Sequence, residues 1–193
     1  MLSLIAMLSG CASASARSCR ADAAAGAALQ QLQGAADSLV VRLAQAADSD
    51  TTSLRRSLQA VVDRVAQLDA CKTLTSAESL RSAGTLALTA QTLGQPTVEH
   101  AYRWARRAVV LDSADRRNWR VMAHSWDQLQ VLQRQPQWFG TVISCDAGVA
   151  GRCVIAPIDS TRVSDPQRVE LGLRTLVQQR ATVDSMNRLR TQP

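Results

Sequence analysis

The sequence predicts a mainly α fold: helical hairpins, then a small β-hairpin near the C-terminus, then a final helix. Three observations lead to this prediction. Apolar residues recur at alternating steps of three and four in the first third of the chain, which is typical of amphipathic helices. Proline, glycine and helix-capping residues divide the middle into helix-sized pieces. Two β-rich runs, residues 141–145 and 153–156, flank a segment with two glycines, as hairpin strands do.

Composition excludes several classes of protein. The 193 residues suffice for one domain or two small ones, and 46% hydrophobic with 20% charged residues is the composition of a globular protein. The longest apolar run, at the N-terminus, is far shorter than the ~20 residues that a membrane-spanning helix needs, which excludes a polytopic membrane protein. The net charge is +6, and the number of cysteines, five, is odd.

The N-terminus resembles the signal of bacterial lipoproteins. A short apolar stretch ends in Leu8, Ser9 and Gly10, and Cys11 follows at once. This order of a branched residue, two small residues and a cysteine resembles the lipobox. The resemblance implies cleavage before Cys11 and acylation of that residue, with palmitate as one of the acyl chains. Ala12 resembles the outer-membrane sorting class, so we expect a periplasmic protein anchored to the outer membrane. An ordinary secretory signal or a buried N-terminal segment is the alternative.

The chain then divides into four segments. We expect residues 1–10 to be the signal peptide and 11–18 a short Ser/Ala-containing tether between lipid and folded protein. Residues 19–75 are predicted to form a helical hairpin. Residues 76–193 are predicted to hold tetratricopeptide-like helices, the β-hairpin and the C-terminal helix.

Two amphipathic seams predict the helical hairpin. The apolar positions of the two seams are Leu29, Leu32, Ala36, Leu39, Leu43 and Ala46, then Leu54, Leu58, Val61, Val65 and Leu68. Residues 48–53 between the seams are rich in helix-capping side chains, which predicts a turn. Pairing between chains as a coiled coil is the alternative. The short turn favours antiparallel neighbours within one chain.

Three further helices are predicted in the middle of the chain, over residues 77–93, 97–111 and 116–134. A Gly-Gln-Pro stop separates the first two, and Thr97 is the candidate N-cap of the second. Residues 112–115 end the second helix and cap the third.

This part of the chain resembles the tetratricopeptide repeat. The residues that match its small, apolar and aromatic positions are Ala101, Ala105, Ala108, Leu111, Trp119, Ala123 and Trp126. The match covers about one and a half units of the 34-residue repeat. The resemblance implies stacked helical hairpins.

The C-terminal part carries an ordered set of short motifs. Asp127 is followed by Pro136-Gln-Trp-Phe-Gly-Thr141, by Pro157-Ile-Asp159 and by an Arg…Gly-Leu…Leu segment over 168–176. This order resembles a bacterial family without an established activity, whose members carry an Asp-Arg pair, a Pro-Gln-x-Tyr/Phe-Gly-Thr signature, a hairpin and a Pro-Ile element. The resemblance covers residues 121–186 and implies an architecture rather than a function.

A single final helix is predicted over residues 166–190. Asp165 stands before it, and Pro166 suits its first position because the missing N–H would be unpaired there anyway.

Four cysteines remain if Cys11 carries lipid. Cys145 and Cys153 flank the predicted turn, where an antiparallel pair lies at bridging distance, so we expect a disulfide between them. Cys19 with Cys71 follows by elimination. The alternative is that all four are small buried side chains. Neither a Cys-x-x-Cys motif nor a histidine at ligand spacing is present, so no metal site is predicted.

A polar group around the helix–strand corner has two interpretations. His124 and Asp127 are three residues apart on a helix, and Gln137 follows in the corner. They either line the site of a small enzyme or ligand-binding domain, or they bond backbone groups while Trp138 and Phe139 cover the core. No nucleophile, phosphate-loop or dinucleotide motif accompanies them, so no catalytic residue and no cofactor is predicted. The structural interpretation is favoured.

Six arginines form the candidate basic surface. They are Arg103, Arg106, Arg107, Arg116, Arg117 and Arg120. A solvated helix face is the alternative, and nucleic acid is not an expected partner because stacking aromatics are few. The sequence predicts a non-enzymatic envelope lipoprotein that binds the membrane through its lipid and another envelope protein through these helices. It makes no prediction of oligomeric state.

Overall fold

The computed structural model describes residues 25–46, 48–145 and 151–191 and confirms the mainly α fold with a C-terminal β-hairpin and a final helix. The chain forms two compact units, residues 1–75 and 76–193. The predicted signal peptide 1–10, the tether 11–18 and the residues Cys11 and Cys19 lie outside the described residues.

The described part of the first unit is a pair of helices, α1 (Ala25–Gln45) and α2 (Asp48–Ala70), that pack against each other. Its buried apolar side chains are Leu29, Ala36, Leu54, Leu58, Val62, Val65 and Leu68. Val62 takes the buried position predicted for Val61, which is partly exposed. The apolar pattern did not separate these two adjacent valines.

The turn predicted over residues 48–53 is wrong, since these residues form the first turns of α2. Capping residues are also tolerated in the first turn of a helix. Ser53 Oγ donates to the Asp50 carbonyl oxygen at 3.2 Å, and the Asp50 carboxylate lies where the helix dipole favours negative charge. The first helix ends at Gln45, and the second begins at Asp48.

Three helices form the larger part of the second unit: α3 (Ala77–Thr89), α4 (Gln95–Leu111) and α5 (Arg116–Leu132), each packed on the other two. Gly84 of α3 faces residues of both other helices. A Cβ at Gly84 would lie 3.2 Å from the Ala101 carbonyl oxygen and 3.2 Å from a Val121 methyl group. Glycine therefore permits a close helix–helix contact here.

The start of α4 differs from the prediction that Thr97 is its N-cap. Gly94, with φ +105°, occupies the cap position, Pro96 lies in the first turn, and Thr97 is buried inside the helix. Proline is pre-organised for the first turn of a helix, so it moves the start toward the N-terminus. A short 3-10 helix, Gln91–Leu93, precedes Gly94.

The β-hairpin consists of β1 (Ile143–Cys145) and β2 (Cys153–Ile155), paired antiparallel with Cys145 opposite Cys153. A disulfide joins these two cysteines, with an Sγ–Sγ distance of 2.08 Å. A parallel bridge between Gln137 and Ile158 ties the corner before β1 to the loop after β2.

The single final helix predicted over residues 166–190 is wrong. It is two helices, α6 (Asp165–Glu170) and α7 (Leu176–Thr191). Gly172 ends the first with φ +74°, and the Leu173 N–H donates to the Arg168 carbonyl oxygen. This is the hydrogen bonding of a glycine C-cap, which ends a helix.

Candidate functional site

The corner between α5 and β1 is built on the buried carboxylate of Asp127. Its Oδ1 accepts hydrogen bonds from the backbone N–H groups of Trp138 and Phe139, at 2.8 and 2.9 Å. Its Oδ2 accepts from the N–H and the hydroxyl of Thr141, at 2.9 and 2.8 Å. Both oxygens are therefore occupied by the corner itself.

Arg168 bonds the carbonyl groups of the same two residues, Trp138 and Phe139. Its guanidinium is buried and donates to the carbonyl oxygens of Phe139 and Trp138. Its Nε lies 3.4 Å from Asp165 Oδ1, a distance that makes an ion pair. Burial lowers the pKa of the Arg168 guanidinium, while Asp165 and Asp127 oppose this shift. Neither charged group of the corner is buried without an opposite charge nearby.

Gln137 is fully buried, and its side chain joins the residue just before β1 to the residue just after β2. The amide nitrogen donates to the carbonyl oxygens of Val142 and Ala156, at 3.2 and 2.7 Å, and the amide oxygen accepts from the Val142 N–H at 2.9 Å. Its backbone N–H and carbonyl bond Pro157 and Asp159. The side chain thus replaces missing ladder partners at the edge of the hairpin.

His124 lies beside this network and is half-buried. Desolvation lowers the pKa of its imidazole, while the Asp127 carboxylate and a hydrogen bond to the backbone of Thr141 act in the opposite direction. The neutral imidazole is therefore the favoured form in the folded protein near neutral pH.

The structure brings His124, Asp127 and Gln137 to one corner but joins none of them to another by a hydrogen bond. The polar atoms of Asp127 and Gln137 bond backbone groups instead. A general base needs a free position toward substrate, and neither residue retains an acceptor that lacks a donor. This geometry stabilises the corner.

Sequence reasoning did not identify Arg168 as a member of this corner. The family resemblance included it, but no periodicity distinguishes a buried arginine from the exposed arginines of the other helices. The one available signal was its place in the ordered motif after Asp127.

Aromatic side chains cover the corner as expected for Trp138 and Phe139. Trp126 contacts both Tyr102 and Trp138, with ring centroids 5.2 and 4.8 Å apart. The Arg162 guanidinium lies 5.2 Å from the centroid of Trp138. Phe139 is buried.

The arginines of α4 lie on one side of that helix. Arg103, Arg106 and Arg107 are exposed, whereas Trp104 on the other side is 2% exposed. Arg103 Nη2 lies 2.9 Å from His100 Nδ1. Spacings of three and four residues place the arginines in one stripe.

The arginines at the start of α5 lie beside the carboxylate of Asp115, which pairs with one of them. Asp115, the N-cap of α5, accepts from the Arg117 N–H and forms ion pairs with Arg117 and Arg81, at 2.8 and 2.9 Å. The hydrogen bonds from Arg117 lower the pKa of Asp115 to about 2. Arg116 and Arg120 are exposed as well. The positive charge of this group is thus partly offset by Asp115.

The second predicted disulfide falls partly outside the described residues. Cys71 is disulfide-bonded, but its predicted partner Cys19 is not among the residues described. The pairing therefore stays a prediction, as does lipidation at Cys11.

In the described ranges, no cluster of three or more His, Cys, Asp or Glu side chains is arranged to hold a metal ion. Among the helices of those same ranges, none combines the length and the apolar character needed to cross a bilayer.

Comparison with known proteins finds no match to the chain, whether among family models, curated proteins or solved structures.

Proposed function

We propose that this protein is a cell-envelope lipoprotein whose second unit binds another protein through the outer side of α4. The observation that carries the proposal is the division of that helix. One side is buried, while the other exposes the α4 stripe, defined as Arg103, Arg106, Arg107 and Val110. Val110 is 78% exposed, and the adjacent Leu111 is 57% exposed.

The geometry of the α5–β1 corner favours a binding protein over the alternative of a small enzyme. Its buried carboxylate and amide bond backbone groups, so Asp127 and Gln137 contribute stability rather than groups free to act on a substrate. Exposed surface is then the remaining place for recognition.

The partner that fits the stripe is an acidic amphipathic helix. Three guanidinium groups favour carboxylates, and Val110 with Leu111 offers an apolar contact beside them. Each exposed ion pair contributes about 0.2–1 kcal/mol, so we expect binding of modest affinity that weakens with salt.

The test uses the full chain and a synthetic helical peptide with Glu on one side and Leu on the adjoining side. Replacing Arg103, Arg106 and Arg107 by Gln should weaken binding about tenfold, as measured by fluorescence anisotropy at low salt. The matched control replaces Arg42, Arg55 and Arg56, exposed arginines of the first unit, by Gln, with the same loss of charge.

Equal weakening in the two triple variants would show only a net-charge effect and contradict the proposal. Binding of anionic lipid vesicles in preference to the peptide would also contradict it, because the stripe would then serve the membrane surface. Val110→Ser should weaken peptide binding further while leaving the charge unchanged.

Lipid anchoring at Cys11 has its own test. Cells that express the full chain should incorporate labelled palmitate into it, and Cys11→Ser should abolish the label. Unlabelled wild-type protein, or label that persists in the variant, would refute the anchor.

A further inference from the structure

A cleft of about 250 Å³ lies between β2 and α7. Its helical wall is formed by Arg180, Val183, Asp184 and Asn187, whose spacings of three and four residues place them on one side of α7. The strand β2 and Arg152, just before it, form the other wall.

Asn187 holds the two walls together. Its Oδ1 accepts from the Cys153 N–H at 2.7 Å, and its Nδ2 donates to the Cys153 carbonyl oxygen at 3.0 Å. A side-chain amide thus pairs with the outer edge of β2 as a neighbouring strand would. Cys153 is fixed on its other side by the disulfide to Cys145. The cleft is therefore pre-formed.

Two arginines border the cleft and are unpaired within the described part of the chain. Arg152 and Arg180 are exposed, and neither forms a hydrogen bond or ion pair with any described residue. Asp184 is the one carboxylate of the lining, so the cleft carries a formal charge of +1. The lining also includes Ile155 and the buried Val183, which offer apolar contact.

We propose that this cleft binds a carboxylate attached to a small apolar group, either a free acid or the C-terminus of a peptide. A guanidinium matches the planar carboxylate with two parallel hydrogen bonds. The single net positive charge suits a monoanion better than a dianionic phosphate. The volume is below the 300–1,000 Å³ typical of pockets for drug-sized ligands, so the ligand is smaller than a nucleotide cofactor.

The test titrates the full chain with N-acetylvaline and follows backbone amide signals by NMR. We expect a Kd of about 1 mM, as befits so small a ligand. Arg180→Gln and Arg152→Gln should each weaken binding at least fivefold. Arg56→Gln, an exposed arginine of α2 with the same loss of charge, should leave the Kd unchanged. Circular dichroism verifies that the variants are folded.

Two further ligands decide the chemistry. N-acetylvaline amide, which lacks the carboxylate, should bind at least tenfold more weakly, and equal binding would overturn the proposal. Inorganic phosphate that binds more tightly than N-acetylvaline would overturn it too. So would an Arg56→Gln variant that loses as much affinity for N-acetylvaline as Arg152→Gln and Arg180→Gln do.

A peptide ending in a free Val carboxylate separates the two sources of the ligand, a protein C-terminus and a free acid. Tighter binding than N-acetylvaline supports a protein C-terminus, and weaker binding supports a free acid.

Discussion

Asp127 and Arg168 together bond both backbone polar groups of Trp138 and of Phe139 in the α5–β1 corner. The carboxylate accepts from two successive N–H groups, and the guanidinium donates to the two carbonyl groups of the same residues. The bonds at Phe139 are buried and those at Trp138 are partly buried. A buried donor or acceptor that is left unpaired costs about 1–3 kcal/mol. One buried pair of side chains therefore determines the path of the chain into the hairpin.

Asp127→Asn tests this role. An amide has one acceptor oxygen where the carboxylate has two, so its NH₂ group must face donors of the corner. We expect the free energy of unfolding of the second unit to fall by about 2–4 kcal/mol. Urea unfolding followed by tryptophan fluorescence measures it, since all four tryptophans lie within residues 76–193. Glu170→Gln, the same chemical change at an exposed position, should have little effect, and an equal loss there would contradict the role.

The lowered pKa of His124 predicts a dependence of stability on pH. The folded-state pKa lies below the ordinary value of 6.5, so the unfolded chain binds more protons as the pH falls through this region. The contribution of neutral His124 to the free energy of unfolding is present above pH ~6.5 and is lost on acidification. The free energy of unfolding then falls by no more than about 1.4 kcal/mol per pH unit on account of this group.

The measurement compares the urea midpoint at pH 7.5 and 5.5 in the wild type and in His124→Gln. The variant should lose less stability between the two pH values than the wild type does. His100→Gln, which removes the other histidine of the chain, should retain the wild-type loss. Were the loss to disappear in His100→Gln instead, the assignment to His124 would be wrong. Asp115, with a pKa of about 2, titrates below this range.

At the scale of elements, glycine ends α6 and determines where α7 starts. Gly172 has φ +74°, and a Cβ there would lie 2.8 Å from the Cβ of Arg116 on α5. Both the backbone conformation and the contact with a helix exclude a side chain. The break between α6 and α7 therefore depends on glycine at position 172.

Gly172→Ala should destabilise the second unit by about 1–3 kcal/mol. The left-handed backbone conformation is strained for alanine, and the added Cβ must displace Arg116. Gly34→Ala is the matched control, since Gly34 lies in the exposed middle of α1 with nothing within 4 Å of its Cβ position. There alanine should stabilise the helix by about 0.5–1 kcal/mol. Thermal unfolding followed by circular dichroism measures both. Destabilisation of similar size in both variants would refute the special role of Gly172.

Local signals predicted the elements better than their boundaries. The seams of α1 and α2, the stop at Gly94 and the β-rich runs were all recognisable, because periodicity and turn residues act within a few positions. The start of α2 and the break after α6 were wrong. Asp and Ser suit a turn as well as a helix start, and the start signal at Asp165 and Pro166 does not indicate where the helix ends.

At the scale of the whole molecule, the chain divides into two units after Thr75. The second unit contains its own apolar core, with Leu80, Leu86 and Trp104 among the fully or nearly fully buried residues, and its own disulfide. All six aromatic residues lie in it. Near-UV circular dichroism and fluorescence therefore report on this unit.

Residues 76–193 expressed alone should fold independently. We expect the fragment to show the near-UV circular dichroism of the full chain and the same urea midpoint by tryptophan fluorescence, because its core and its hairpin are complete. A fragment with helical far-UV signal but no near-UV signal would lack fixed packing and would contradict this independence.

The sequence by itself determined the mainly α class, the hairpin with its facing cysteines and the candidate residues of the corner, since these depend on local spacing. Tertiary structure alone decided what those residues do. Asp127 and Gln137 bond backbone groups that lie 5 to 19 positions away along the chain, Arg168 enters the corner from a later helix, and the cleft at Arg152 and Arg180 joins a strand to α7. Hydrogen bonds and burial depend on distance in space, and no local pattern encodes which distant segments meet.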